Sequence, residues 1–294
     1  MPPPDLSVLD AAFRQQQATI AAATATAVSR LWSATVDPKD LQRTGSAWVE
    51  RSIPLIQAGR ARSAGSAATY AGAVRRVVAP TAPPFTFPPA PPAPVDQLRT
   101  SLWVTGVVNA RARLEKAYAP QQPNALLDLR RRLQDTPGDP LRERQQALLD
   151  RGADAAINDA LQEAINSASG ATARHVLNGG RDSIRDGVKK DKVALGYVRV
   201  TRANPCAFCA MLASRIVYKD NLYSEHSFDR SDPRFDGEGT AKVHDNCSCT
   251  LRPIYSKRAD EIPELNRRFD EMWRERGDGD ALNAFRRYYE RGVA

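Results

Sequence analysis

The chain has 294 residues, a net charge of +8 and an isoelectric point near 9.5. Its length suits one large domain or two or three modest ones, and with 42% apolar residues but only 7% aromatics it can bury a core, though a thin one. No apolar run approaches the ~20 residues that span a bilayer, which excludes a helical membrane protein. The basic balance suits contact with nucleic acid or with an acidic protein surface. Part of that charge reflects an excess of Arg over Lys in a chain rich in Ala and Pro, the mark of a GC-rich genome.

Leu6, Leu9, Phe13, Ile20, Ala27 and Leu31 recur at helical spacing and predict one long helix over residues 5–34. Asp5 caps its start, and Asp37-Pro38 stops it. Two further helical segments follow in residues 39–79, one with Leu41, Trp48, Ile53 and Ile56, the other with Tyr70, Val74, Val77 and Val78. Pro54 is expected to start or kink a turn within the first. In Pro80–Pro94, eight of fifteen positions are proline, which predicts an extended connector that Phe85 and Phe87 anchor to a surface.

Helix returns over 96–118, and again at Leu126–Leu133, at Leu141–Ile165 and over 169–186. Arg130, Arg131, Arg132, Arg142, Arg144 and Arg151 form the densest basic stretch. It lacks interleaved aromatics to stack bases and stands beside Asp128, Asp135, Glu143 and Asp150, so a solvated helix face is favoured over a nucleic-acid contact. The lone Gly179-Gly180 pair signals little, and His175 is read as a packed or surface residue. From Ala194 to Thr201 the pattern changes to period 2, as in a strand. Ile216–Tyr218 and Thr250–Tyr255 are two more strand candidates, around a short helix and a polar loop over 219–242. Charged helices with Leu265, Phe269, Met272, Trp273, Leu282, Phe285 and Tyr288 on the buried side finish the chain. The fold class expected is mostly α, with a small β-containing, zinc-stapled module near the C-terminus (α+β). The divisions are a helical segment (1–79), a Pro-rich linker or arm (80–95), a helical domain (96–193), the knuckle module (194–256) and C-terminal helices (257–294).

All four cysteines lie between positions 206 and 249, as Cys206-x-x-Cys209 and His244-x-x-Cys247-x-Cys249. Disulfides suit secreted domains, whereas Met1-Pro-Pro-Pro-Asp lacks a basic start and an apolar core of a signal peptide. Cys-x-x-Cys presents two thiols to one ion, and the second knuckle offers three more donors. Zn²⁺ takes four S or N ligands. The set favoured is Cys206, Cys209, His244 and Cys249, because side chains of a Cys-x-Cys pair tend to diverge; Cys247 is the alternative ligand, and an all-cysteine site the close second. Such an ion would stabilise a module of about 60 residues too small to bury much alone.

No H-E-x-x-H, G-x-S-x-G or P-loop is present in the sequence. A deaminase centre pairs H-x-E with a later P-C-x-x-C, but here Pro205-Cys206 precedes His244 and no H-x-E exists. A thiol beside His226 or His244 is the one catalytic pairing available, and a structural site is preferred.

Asn204-Pro-Cys206-Ala-Phe-Cys209, the polar loop, then His244-Asp-Asn-Cys247-Ser-Cys249 and an apolar strand resemble the C-terminal motif of the MuF-like phage head morphogenesis (minor capsid) proteins. That family's pattern is C-x-x-C followed by H-P-x-C-R-C; Asp245 and Ser248 stand where it has proline and arginine. The resemblance spans 195–256 and is nearest to an actinobacteriophage branch often labelled capsid maturation proteases. It implies a minor head protein in few copies, assembled in the host cytoplasm and placed in the capsid interior or at the portal vertex. The implied partners are the portal, scaffold and major capsid proteins, with non-specific DNA contact left open and no membrane. The rival class is the maturation protease that trims scaffold or capsid protein.

Overall fold

The computed structural model describes residues 5–118, 140–218, 245, 247–256, 261–275 and 281–293. Helix α1 runs Leu6–Thr35; Asp5 starts it by accepting the Ser7 N–H at 2.8 Å. It ends where Asp37 caps a 3₁₀ turn, Pro38–Asp40, as the Asp-Pro signal predicts.

Helix α2 runs Leu41–Val78 without a break, with Pro54 inside it. The expected pair of helices is therefore one. A mid-helix proline costs about 3 kcal/mol, but Ile53 before it and Ile56 after it are buried, and that burial offsets the loss. Helices α3 (Val95–Leu102) and α4 (Asn109–Tyr118) are joined by a π-helical turn, Trp103–Val108. Helix α5 runs Pro140–Lys190, so the segments expected at 141–165 and 169–186 are also one rod. The expected helix at Leu126–Leu133, the side chains of the arginine stretch and the polar loop lie outside the described residues.

Strands β1 (Gly196–Val200), β2 (Ile216–Tyr218) and β3 (Thr250–Ile254) form an antiparallel sheet in the order β2-β1-β3. The register pairs Val200 with Thr250 and Gly196 with both Ile254 and Tyr218. Every residue of β1 and β3 is buried, so both faces are covered, where period-2 alternation suggests one wet face. Helix α6 (Ala207–Ala213) follows β1, and helices α7 (Glu264–Glu275) and α8 (Ala281–Val293) close the chain.

The molecule forms two compact units, and neither follows chain order. One comprises Met1–Ala27, Pro54–Pro94 and Thr172–Ala294. Its main core gathers Phe13, Tyr70, Val74, Phe87, Ile184, Val188, Tyr197 and Leu251, with the Phe13 and Tyr70 rings stacked 4.1 Å apart. Gly179 and Gly180 are a contact point: a Cβ on Gly179 would lie 2.3 Å from the Arg60 carbonyl oxygen, and the Gly180 N–H donates to Ser63 Oγ at 3.0 Å. The Pro-rich stretch belongs to this unit. Phe87 is buried against Gly187, Ser183 donates to the Pro88 carbonyl at 2.7 Å, and Arg60 Nε to that of Pro91 at 2.9 Å. A second cluster packs Met211 and Leu212 of α6 on Phe269 and Met272 of α7 and on Phe285 and Tyr289 of α8.

The other unit comprises Val28–Ile53 and Val95–Ala171. It buries Trp32, Trp48, Leu98, Leu102, Val107 and Ile165. Trp32 and Trp48 meet edge to face at 4.8 Å, and Gly106 of the π turn admits the Trp48 ring.

Candidate metal centre

Strand β1 delivers the chain through Asn204-Pro205 to Cys206, whose extended backbone (φ −69°, ψ 158°) caps α6. Its Sγ accepts the Cys209 N–H at 3.4 Å, and one helical turn brings Cys209 round to the same side. Cys247 and Cys249 arrive on the strand side, immediately before β3. The thiols of Cys209, Cys247 and Cys249 lie within 4.8 Å of one another, with 3.6 Å between Cys209 and Cys247. The Cys-x-Cys side chains do not diverge: both reach Cys209. All three are sealed in, at 2–3% exposure, while Cys206 is exposed.

The second knuckle is held by α5. Arg181 donates from Nε and Nη2 to the Cys249 carbonyl at 3.0 and 2.8 Å, and from Nη2 to that of Cys247 at 2.9 Å. Its Nη1 is fixed by Asn178 Oδ1 at 2.7 Å. Arg174 pairs with Asp245 at 2.7 Å, so the residue standing where the resembling family has proline has its own partner. Arg174, Asn178 and Arg181 follow at i, i+4 and i+7, one helix face. From β1, Arg199 brings Nη1 to 3.9 Å from Cys247 Sγ, and Arg181 Nη2 lies 3.6 Å from the same sulfur.

These neighbours set the charge preference of the thiols. Bonds from Cys209 and Cys249 hold Cys247 well below the ordinary thiol range, and Arg181 and Arg199 pull the same way against burial. Bonds to Cys206, Cys247 and Cys249 push Cys209 up, and burial adds to it. The bond with Cys209 pulls Cys249 down, but that with Cys247, burial and the Cys247 charge outweigh it, leaving Cys249 at about 11. Three thiols this close cannot all ionise without a cation between them; a soft divalent ion is what the donor set fits.

Of the residues expected to bind metal, the structure brings together Cys209, Cys249 and the alternative Cys247, and puts Cys206 at the edge as helix cap. His244 and His226 lie outside the described residues. His175 is a packed residue of α5. Sequence reasoning missed Arg181 and Arg199 as partners of the cluster. The Arg174/Asn178/Arg181 face was a readable signal for one; a lone arginine inside an apolar strand was the signal for the other.

Fold and site define a mostly helical α+β protein whose small sheet carries a buried three-thiol centre able to hold a metal ion. The model of the VG15 protein family matches residues 124–276, over half of the chain and all of the sheet and thiol centre. The chain belongs to that family of phage proteins. No curated protein and no solved structure matches it. Among the described residues no helix is long and apolar enough to cross a membrane.

Proposed function

We propose that this phage protein is a MuF-like minor head protein acting in head assembly at or near the portal, with Zn²⁺ as a structural ion of its thiol centre. The observation that carries the reading is the sealing of the centre. Cys209, Cys247 and Cys249 are buried and crowded, and Arg181 clamps the backbone behind two of them. A nucleophilic thiol needs access and a low-pKa, partly exposed setting; a staple needs burial. When bound, the ion would link α6 to the start of β3 through thiolates of Cys209, Cys247 and Cys249 and supply folding energy there. The protein's own side chains orient those thiols. The net positive charge and long Ala-rich helices support an assembly role, with portal, scaffold and major capsid protein as partners and the virion as its location.

The test is co-expression with the portal, scaffold and major capsid proteins of the same phage. The chain is expected to copurify with portal-bearing heads in few copies, leaving scaffold and capsid protein at full length. Cleavage of either that Cys206→Ser abolishes, with the fold intact, would overturn this reading in favour of the maturation protease.

A further inference from the structure

Resting on that zinc reading, we infer that Arg181 sets the bite of the Cys247-x-Cys249 pair, so that helix α5 and not the ion draws these two thiols together. Four ligands held at about 2.3 Å in a tetrahedron stand about 3.8 Å from one another. Along an extended strand, equivalent atoms two residues apart are separated by about 6.6 Å, because each residue advances the chain by about 3.3 Å. A Cys-x-Cys pair in extended backbone therefore starts too wide, and its backbone must shorten or its side chains lean before one ion takes both. Here Cys247 and Cys249 lie immediately before β3, yet their thiols are within 4.8 Å of each other and of Cys209 Sγ.

The backbone shortens, and one side chain accounts for it. Arg181 Nη2 donates to the Cys247 carbonyl at 2.9 Å and to the Cys249 carbonyl at 2.8 Å. Two oxygens that share one nitrogen at those distances are less than about 6 Å apart, nearer than the extended repeat. Nε adds a second bond to the Cys249 carbonyl at 3.0 Å, and Asn178 Oδ1 fixes Nη1 at 2.7 Å, so the planar fork is held along its whole edge. Nη2 also stands 3.6 Å from Cys247 Sγ, so the group that draws in the backbone reaches the thiol as well. Arg174 holds Asp245 at 2.7 Å from the same face of α5, which grips the knuckle upstream of the pair. None of these bonds needs an ion. Arg181 is a positioning residue: it touches the backbone behind the ligands and presents two thiols already close enough for one metal.

The test uses the full chain, reduced, stripped with chelator and titrated with Co²⁺, whose thiolate charge-transfer absorption reports binding, and then with Zn²⁺ in competition. Arg181→Met is expected to lower metal affinity by about 10–100-fold. Arg181→Lys keeps the charge but loses the planar fork, and should stay at least about tenfold below the parent. Phe87→Ala empties part of the main core of the same unit and separates positioning from lost stability: its folded chain should bind metal as the parent does. Far-UV circular dichroism checks each fold. Should both Arg181 variants fail to fold, Asn178→Ala, which frees Nη1, is expected to weaken binding in the folded chain, and parental affinity there would refute the clamp. Parental affinity in folded Arg181→Met or Arg181→Lys, or an equal loss in Phe87→Ala, would overturn the inference and leave the zinc reading standing. A parental chain that takes up neither cobalt nor zinc would remove the zinc reading itself.

Discussion

Phe87 and Gly187 test whether the Pro-rich stretch is part of the core. Phe87 is 3% exposed, and a Cβ built on Gly187 would sit 2.1 Å from its Cδ1. Phe87→Ala is expected to cost about 3–5 kcal/mol, the usual loss for a buried phenylalanine. Gly187 lies inside α5, where alanine is worth about 1 kcal/mol more than glycine. In the parental chain that gain meets an overpacking cost of about 1–3 kcal/mol, because the ring has to move. Gly187→Ala should then be neutral to destabilising by about 2 kcal/mol. In the Phe87→Ala background the new methyl group enters vacated space, and the same substitution should stabilise by about 1 kcal/mol. Chemical denaturation of the four chains, followed by circular dichroism, gives the coupling, expected at about 1–3 kcal/mol. Equal effects of Gly187→Ala in the two backgrounds, within about 0.5 kcal/mol, would refute the contact and detach the stretch from the core.

Buried Asp10 accepts from Tyr70 Oη and Arg252, and burial holds its carboxyl above the ordinary 3.8, opposed by Arg252 and Tyr70. A carboxyl raised in the folded state makes the native chain bind the proton more tightly, so this group's contribution falls as pH rises from 3.8 through the raised value. Tyr70→Phe removes a donor to the ionised form and lifts the carboxyl further; its cost, about 1–3 kcal/mol, should therefore grow as pH rises above the parental raised value, and a cost constant with pH in denaturation curves would refute the bond. Chelation of the metal-loaded chain should lower its melting temperature, since a ligand at a thousandfold excess over its Kd contributes about 4 kcal/mol; identical melting with and without chelator would contradict a structural ion. Arg174→Ala and Asp245→Ala should couple by about 0.2–1 kcal/mol, as Asp245 keeps 40% exposure. Strict additivity in the double-mutant cycle would show that the pair does not tie the knuckle to α5.

Much of this architecture was legible because it rests on local rules. Asp5 and Asp37-Pro38 bound α1 through capping and the proline constraint. Strand β1 stands where the pattern turns to period 2, and β2 and β3 fall on the other two strand candidates. The cysteine spacing marked the site. What was not legible depends on partners distant in sequence. Pro54 reads as a break, yet neighbouring buried isoleucines carry α2 through it. Gly179-Gly180 reads as noise until Arg60 and Ser63 lie against it. The Pro80–Pro94 composition fits a linker as well as a packed strap; carbonyls without a helix or sheet to serve are satisfied instead by Gln57, Arg60 and Ser183.

The same long-range logic changes the meaning of the thiol centre. Taken by itself, the stretch 194–256 is a small module that a metal would have to stabilise alone. In the fold its described strands β1 and β3 share the main core of the larger unit. Tyr197 and Leu251 are in the core with Phe13, Tyr70 and Ile184, and Asn266 of α7 donates to the carbonyls of Arg199 and Ala213, tying β1 to α6. Arg181 completes the connection, since the carbonyls it holds belong to two of the clustered cysteines. Loss of that guanidinium would leave two buried acceptors without their donor. An ion at this point would brace the compact unit that the long helices, the proline strap and the sheet build together.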